Sequence, residues 1–482
     1  MQIDQAMIRI LLAGALLFIL TPCAFGQGAE TPRENLAEES VRLLVQYLKI
    51  DTSNPPGEEI RAARFLGEIF AREGIEYRLL ESAPGRGNIW ARLPGDGSKR
   101  PVILLNHLDV VPAYPQFWTH PPFGGLERDG FIYGRGALDM KSLAIAQLMV
   151  MLRLKRERIP LARDLIFIGT ADEEAGGRLG AEWLVSRHPE LLGGAEYLFN
   201  EGGGNLVQAD GRVLAIGLSA VEKTPAWLRL TATGPPGHSS VPRPDSAVNR
   251  LVRALDRLIG YAPPLKVTTP VEQYFQSLAP LLSPAEARRY ERLRQTIDDP
   301  DFRLLLDADP GAKALFQNTI AVTMLEGSNK VNVIPPIATA LIDTRILPGE
   351  RIEPWVRELT TVVQDERITI EPILTFEAVA SPLDTEVAES LRGLVRRRFP
   401  DAVVTYPVTV GFTDSHYFRR RGINCYGFSP FVGYPQSLGA RPLGARPLGD
   451  GYHGNDERIG RAVFIDGVDL LFDLLAPLLR RP

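Results

Sequence analysis

Cysteine is nearly absent from this 482-residue chain: Cys23 falls in an N-terminal leader, and Cys425 stands alone in the body. A lone thiol excludes a disulfide framework and a cysteine-rich metal site. Neither sign of charge is in excess, with 54 Lys and Arg against 58 Asp and Glu, a net charge of −4. The clustered basic footprint expected of a nucleic-acid binder is therefore missing. Long apolar runs are missing too, apart from Ile10 to Leu20, which is short for a bilayer span and follows Arg9. Ala24-Phe25-Gly26 supplies small residues for cleavage before Gln27, so residues 1–26 read as an export signal. A periplasmic or secreted protein follows, touching no membrane beyond its signal segment. The alternative is an uncleaved anchor; a lipoprotein at Cys23 is disfavoured by Pro22, where a small residue is expected.

What is present is an ordinary globular composition, 45% apolar and 23% charged, in a chain long enough for two domains. Leu36, Val41, Leu44, Val45 and Leu48 fall on one helix face, and Ile60, Ala63, Leu66, Ile69 and Phe70 on another. Between them lies the dense turn chemistry of Asp51-Thr52-Ser53-Asn54-Pro55-Pro56-Gly57. Three short apolar runs then read as buried strands: Val102 to Leu105, Leu165 to Ile168, and Tyr197 to Phe199. Each ends in polar groups able to bind metal: His107, the triplet Asp172-Glu173-Glu174, and Glu201. In an open α/β sheet the carboxyl edge of the strands is where ligands sit.

From Lys223 the pattern changes. Trp227 to Thr233, Asn318 to Leu325, Ile337 to Ile346 and Ile368 to Leu374 read as strands, with helices from Asp245 (as N-cap) to Gly260 and from Glu353 to Val363. This order suggests a ferredoxin-like lid at 223–378, interrupted by a helical insert at about 261–317. The catalytic domain is expected at 34–222 and 379–482. A repeat of Leu-Gly-Ala-Arg-Pro at 438–447 reads as a tolerant loop, with Arg441 and Arg446 as weak candidates for substrate contact.

Three adjacent carboxylates cannot be buried unpaired without a cost of several kcal/mol, so the triplet needs solvent or cations. In extended chain, Glu173 and Glu174 point apart, and one could hold a metal while the other moves a proton. His107 and Asp109 would face the same way, letting the Asp109 carboxylate take a ring N–H and fix the tautomer.

With these stretches in hand, the sequence resembles the di-zinc aminoacylase/carboxypeptidase family, which includes acetylornithine deacetylase, succinyl-diaminopimelate desuccinylase, glutamate carboxypeptidase and carboxypeptidase S. The matching segments are HLDVVP at 107–112, Trp118 with PPF at 121–123, YGRGALDMK at 133–141 and DEE at 172–174. They continue with NEGG at 200–203, GPPGHSS at 234–240, KVNVIP at 330–335 and HGNDER at 453–458, in family order over nearly the whole mature chain.

The resemblance implies an α/β catalytic domain with a mostly parallel central sheet. It implies two Zn²⁺ (or Co²⁺, Mn²⁺) bridged by Asp139, with Glu174 and His453 on one ion and His107 and Glu201 on the other. Glu173 would be the base, Asp109 its orienting acid, and lid His238 the donor to the carbonyl oxygen. Arg345, out of phase with the apolar Ala340, Ile342 and Ile346, would grip a substrate carboxylate with Asn332 beside it. An internal Asp343–Arg345 pair is the competitor. His416, in the same family region, receives no role. The implied activity is hydrolysis of an amide beside a free carboxylate, in a small peptide or N-acyl amino acid. The insert resembles the carboxypeptidase S-like branch, and the lid is expected to support a homodimer that in several relatives lends its histidine to the neighbour. The rival readings are a biosynthetic deacylase and a non-catalytic binding protein.

Overall fold

The computed structural model describes residues 32–433 and 451–481. The expected export signal and the repeat bearing Arg441 and Arg446 lie outside the described residues. Among the described residues, no helix is long and apolar enough to cross a membrane.

Every residue of the strands Val102–His107 and Leu165–Thr170 is buried. Runs with no polar face fit only a sheet covered on both sides, and successive residues feed alternate cores. Leu104, Phe167 and Phe199 enter one core beneath the helices Glu59–Arg72, Lys141–Arg156 and Arg461–Leu479. Ile103, Leu105, Ile166 and Ile168 enter the other with Leu184 and Phe418.

The six-stranded sheet runs Glu76–Ala83, Arg86–Leu93, Leu165–Thr170, Val102–His107, Tyr197–Asn200, Asn424–Gly427. The last four are mutually parallel; the first two form an antiparallel hairpin that extends the edge and has no counterpart in the sequence reading. In register His107 lies opposite Thr170, so His107 and the acidic triplet leave the sheet at the same edge.

The strands Thr319–Glu326, Ile337–Ile346, Thr224–Thr233 and Ile368–Thr375 form a separate antiparallel sheet in that order. With the helices Ala247–Ile259 and Ile352–Val363 this is the ferredoxin-like arrangement. Ala338, Ala340, Ile342 and Ile346 face those helices, while Asp343 and Arg345 face away. The first helix is capped one residue later than expected: Ser246, not Asp245, accepts the N–H of Asn249 through its Oγ at 3.3 Å.

The insert contains short helices between Thr269 and Lys313, one opened by the expected capping box of Ser283 and Glu286. Its apolar side chains do not extend the lid core. Val271, Phe275, Phe302 and Phe316 close instead on Val221 and Val408, at the base of the lid. Fully buried Lys223 fastens this joint by donating from Nζ to the carbonyls of Ala314 (2.8 Å) and Gln317 (2.7 Å). Lys223→Met would leave both carbonyls without that donor. It should cost roughly 1–3 kcal/mol in chemical denaturation and make the insert the first site of limited proteolysis.

Candidate metal centre

Strand ends deliver most of the donors. His107 closes one strand, Glu173 and Glu174 follow another after a short turn, and Glu201 follows Asn200. Asp139 arrives from the loop before the helix Lys141–Arg156, and His453 from a loop with a left-handed backbone (φ 59°).

Asp139 lies between the two imidazoles. Its Oδ1 is 3.0 Å from His107 Nε2 and its Oδ2 is 3.2 Å from His453 Nε2. His453 Nε2 is also 3.2 Å from Glu174 Oε2, and His107 Nε2 is 3.9 Å from Glu201 Oε1. Ligand atoms of His107, Asp139 and Glu174 lie within 4.8 Å of one another, as do those of His107, Glu173 and Glu201. The residues expected to share a site are therefore brought together from positions more than 300 apart in the chain.

The acidic triplet is a turn, not extended chain. Asp172 adopts a left-handed conformation (φ 69°), and Glu173 to Ala175 form a single 3₁₀ turn. That turn, rather than strand alternation, separates the two glutamates. Asp172 is not a metal candidate: its Oδ1 accepts from Arg86 Nη2 at 2.9 Å and its Oδ2 from the Leu179 N–H at 3.0 Å. Arg86 also pairs with buried Glu59 (2.6 Å), passing close over Gly57, where a Cβ would fall 2.6 Å from the guanidinium carbon.

The Asp109–His107 contact differs from expectation as well. His107 Nδ1 is 2.9 Å from the backbone carbonyl of Asp109 and 3.6 Å from its carboxylate. A carbonyl can only accept, so Nδ1 carries the proton and Nε2 faces the other donors. The Asp109 carboxylate instead receives the backbone N–H groups of Glu173 (3.1 Å) and Glu174 (3.2 Å).

Glu457, which the sequence reading passed over, does the same for the other loop. Fully buried, it accepts from Arg135 (2.7 Å) and from the N–H groups of Gly136 (3.0 Å), Leu138 (2.7 Å) and Asp139 (3.0 Å). Only its place four residues after His453 could have drawn attention to it.

Electrostatically, the cluster calls for cations. Burial, and then repulsion from Asp139 or Glu201, pushes Glu201 and Glu173 well above the usual carboxylate range. Hydrogen bonds that its ring donates to the Asp139 and Glu174 carboxylates hold His453 up at about 10. Burial opposes charge on His107, but contacts to Asp109 and Asp139 outweigh it and raise that histidine too. Glu174 Oε1 is buried with no partner among the described residues. An orphaned carboxylate oxygen beside imidazole nitrogens, with no thiolate, is a donor set that suits Zn²⁺, Co²⁺ or Mn²⁺.

The family profile described as peptidase family M20/M25/M40 matches residues 103–476. The chain belongs to this family. It is 29% identical over 452 residues to aminoacylase-1 of Sus scrofa, covering 92% of this chain and 96% of that protein. It is 29% identical over 469 residues to the N-fatty-acyl-amino acid synthase/hydrolase PM20D1 of Xenopus tropicalis, covering 92% and 87%. Among solved structures, the M20 metallo-carboxypeptidase Sso-CP2 of Sulfolobus solfataricus superposes with a TM-score of 0.68 at 19% identity, covering 91% of this chain and 98% of that one. As an M20 protein the chain is a metal-dependent hydrolase of amide or peptide bonds. These matches support the family rather than the carboxypeptidase S-like branch of it.

The expected lid residues do not join the M20 cluster within one chain. His238 is exposed, and its ring Nδ1 meets Ser240 Oγ at 2.8 Å. Arg345 takes the competing arrangement, a two-point pair with Asp343 at 2.7 and 2.8 Å, because the two stand two residues apart on one face of a strand. Its Nη1 is buried without a partner, and the guanidinium lies 5.0 Å from the Phe412 ring. Asn332 is exposed and sits beside His238, not Arg345, its carbonyl accepting the Ser239 N–H at 3.3 Å. His416 is a packing residue: its ring stacks on Phe376 at 3.3 Å, its Nδ1 meets the Thr413 carbonyl at 2.9 Å, and burial pushes it down to about 3.

Raised histidines bind protons that a cation must displace. Apparent zinc affinity of the chelator-stripped protein should therefore rise between about pH 6 and 8, by up to about tenfold per pH unit for each proton released. Calorimetry in buffers of different ionisation enthalpy counts those protons; affinity flat across this range would remove the cluster as the binding site.

Proposed function

We propose that the chain is an exported zinc hydrolase of N-acyl amino acids, cleaving the amide beside a free carboxylate. The observation that carries this reading is Asp139 standing between His107 and His453, with Glu173 against His107 and Glu201. The curated relatives that span nearly the whole chain are named aminoacylases and an N-fatty-acyl-amino acid synthase/hydrolase, which favours acyl amino acids over dipeptides. Human carnosine dipeptidase 1, at 17% identity and a TM-score of 0.67, speaks for the fold alone. The export assignment rests on the leader sequence.

In this reading His107 and Glu201 would hold one zinc and Glu174 and His453 the other, with Asp139 shared between them. Bound zinc polarises the scissile carbonyl and acidifies water. Glu173, buried against His107 and Glu201, would take a proton from the attacking water and return it to the leaving nitrogen. Asp109 fixes the turn that aims Glu173. Arg345 keeps its Nη1, with two N–H donors, unpartnered after pairing with Asp343, which leaves it able to meet a substrate carboxylate. His238, exposed on the lid, fits a role in the site of a second copy, as donor to the carbonyl oxygen, and a homodimer through the lid would deliver it. Such a donor is typically worth roughly 3–4 kcal/mol of barrier.

Glu173→Gln in zinc-loaded enzyme should lower kcat by at least about 10²-fold with metal content unchanged; retained turnover would remove Glu173 as the base. A panel of N-acyl amino acids, their amides and dipeptides decides the substrate class. Faster dipeptide cleavage would favour the peptidase reading.

A further inference from the structure

Loop 51–57, rich in turn residues, has no part in the chemistry above, yet it reaches the centre of the site. Asn54 is buried, and its Nδ2 donates to Asp109 Oδ2 at 2.8 Å and to Asp172 Oδ1 at 3.3 Å. Both partners are carboxylate oxygens, which only accept, so the amide nitrogen must face them. We propose that Asn54 is a positioning residue for catalysis, clamping Asp109 and Asp172 together so that the turn carrying Glu173 is held in its working geometry. The proposal rests on the reading of Glu173 as the base.

Asn54 is itself held rigidly. Its backbone N–H donates to the Val110 carbonyl at 2.9 Å, and the Val110 N–H donates to Thr52 O at 3.1 Å. Thr52 Oγ1 donates to the Leu108 carbonyl at 2.6 Å. Asp109 is thus bracketed on both sides by contacts from the same short loop.

Comparing the two carboxylates shows where losing the amide would be felt. Asp172 keeps Arg86 at 2.9 Å and the Leu179 N–H at 3.0 Å whatever stands at 54. Asp109 Oδ2 would keep only the Glu174 N–H, at 3.2 Å. Asp109 is fully buried, so a weakened shell there cannot be replaced by bulk water, and it is Asp109 that receives the N–H groups of Glu173 and Glu174. The amide also separates two like charges with a neutral donor; aspartate would add a third, and serine has one donor and too short a reach.

The test uses the full zinc-loaded chain. Asn54→Ala should lower kcat by roughly 10–100-fold, the range for groups that orient site residues from behind. KM should stay within about twofold, and metal content should be unchanged. In a double-mutant cycle with Asp109→Asn the two losses should not multiply, because both break the same linkage. Hydrogen exchange at the Glu173 and Glu174 amides should quicken in the Asn54 variant. Asn54→Ser takes its place if Asn54→Ala does not fold. Wild-type kcat in the Asn54 variant beside an inactive Glu173→Gln would overturn the proposal, as would fully multiplicative losses or a loss of bound metal. Activity retained by Glu173→Gln would instead strike the base assignment itself, and this proposal with it.

Discussion

Carboxylates brought this close repel one another, and the repulsion is the constraint around which the site is built. Asp139, Glu173, Glu174 and Glu201 gather about two imidazoles, and among the described residues none of the four pairs with an Arg or Lys. Positive charge is placed one layer out, where Arg86 pairs with Glu59 and Asp172, and Arg135 with Glu457. A guanidinium in the inner layer would neutralise the cluster and fill the space a cation needs. The outer placement keeps the donors together while leaving their lone pairs directed at one another, an arrangement that strongly favours binding divalent ions.

Two buried carboxylates carry out the positioning in the same manner. Asp109 collects consecutive backbone N–H groups of the turn bearing Glu173 and Glu174; Glu457 collects those of the loop bearing Asp139. Charge-assisted bonds to backbone are shorter and stronger than neutral ones and leave no side-chain rotamer undecided. Site precision therefore comes from main chain fixed by buried anions. The tight glycines around it serve the same end: at Gly177 (φ 71°) a Cβ would fall 2.3 Å from Asp414 Oδ1.

His107, Glu173, Glu174 and Glu201 were legible in the sequence because each stands at or just past the end of an uninterrupted apolar run, and the doubly covered sheet forces those ends to one edge; Asp139 and His453, on loops, were reached only through the family resemblance. Lid strands were legible from their alternation. What alternation cannot supply is the partner: it puts Arg345 and Asp343 on the same face, but whether they meet each other or a ligand depends on geometry between them. The neighbours of Asn332 and His238 were not legible for a related reason, since His238 lies in, and Asn332 just before, a pairing of two-residue segments (Gly237–His238 with Val333–Ile334) too brief to show a period. Asn54, Arg86 and Glu457 were invisible as site residues because their roles depend on contacts 55 to 322 residues away. The edge hairpin escaped because Arg86–Leu93 mixes Arg and Asn with apolar residues, all but one of them buried by their partners rather than by their own hydrophobicity.

The joint between lid and catalytic sheet shows how far such buried polar contacts extend. Glu222 accepts from Thr413 N–H (3.0 Å), Thr413 Oγ1 (2.9 Å) and Arg419 (2.9 Å), and Arg419 also donates to the Cys425 carbonyl (3.1 Å). An ion pair taken this far out of water is tolerated only when its remaining hydrogen-bonding capacity is filled, as here. Next to it Lys223 holds the insert, and Phe376 from the lid stacks on His416. Burial, and then Arg419 and Arg420 nearby, disfavours charge on that ring, and a neutral ring suits the stack. Loop 411–416 is thereby tied to both domains at once. Tyr417 continues the tie to the Gly176 carbonyl (2.7 Å), and Arg178 donates to Ile373 O of the lid (2.7 Å). The turn that carries Glu173 is consequently in contact with the lid strand itself, so a change in lid angle cannot leave that turn undisturbed.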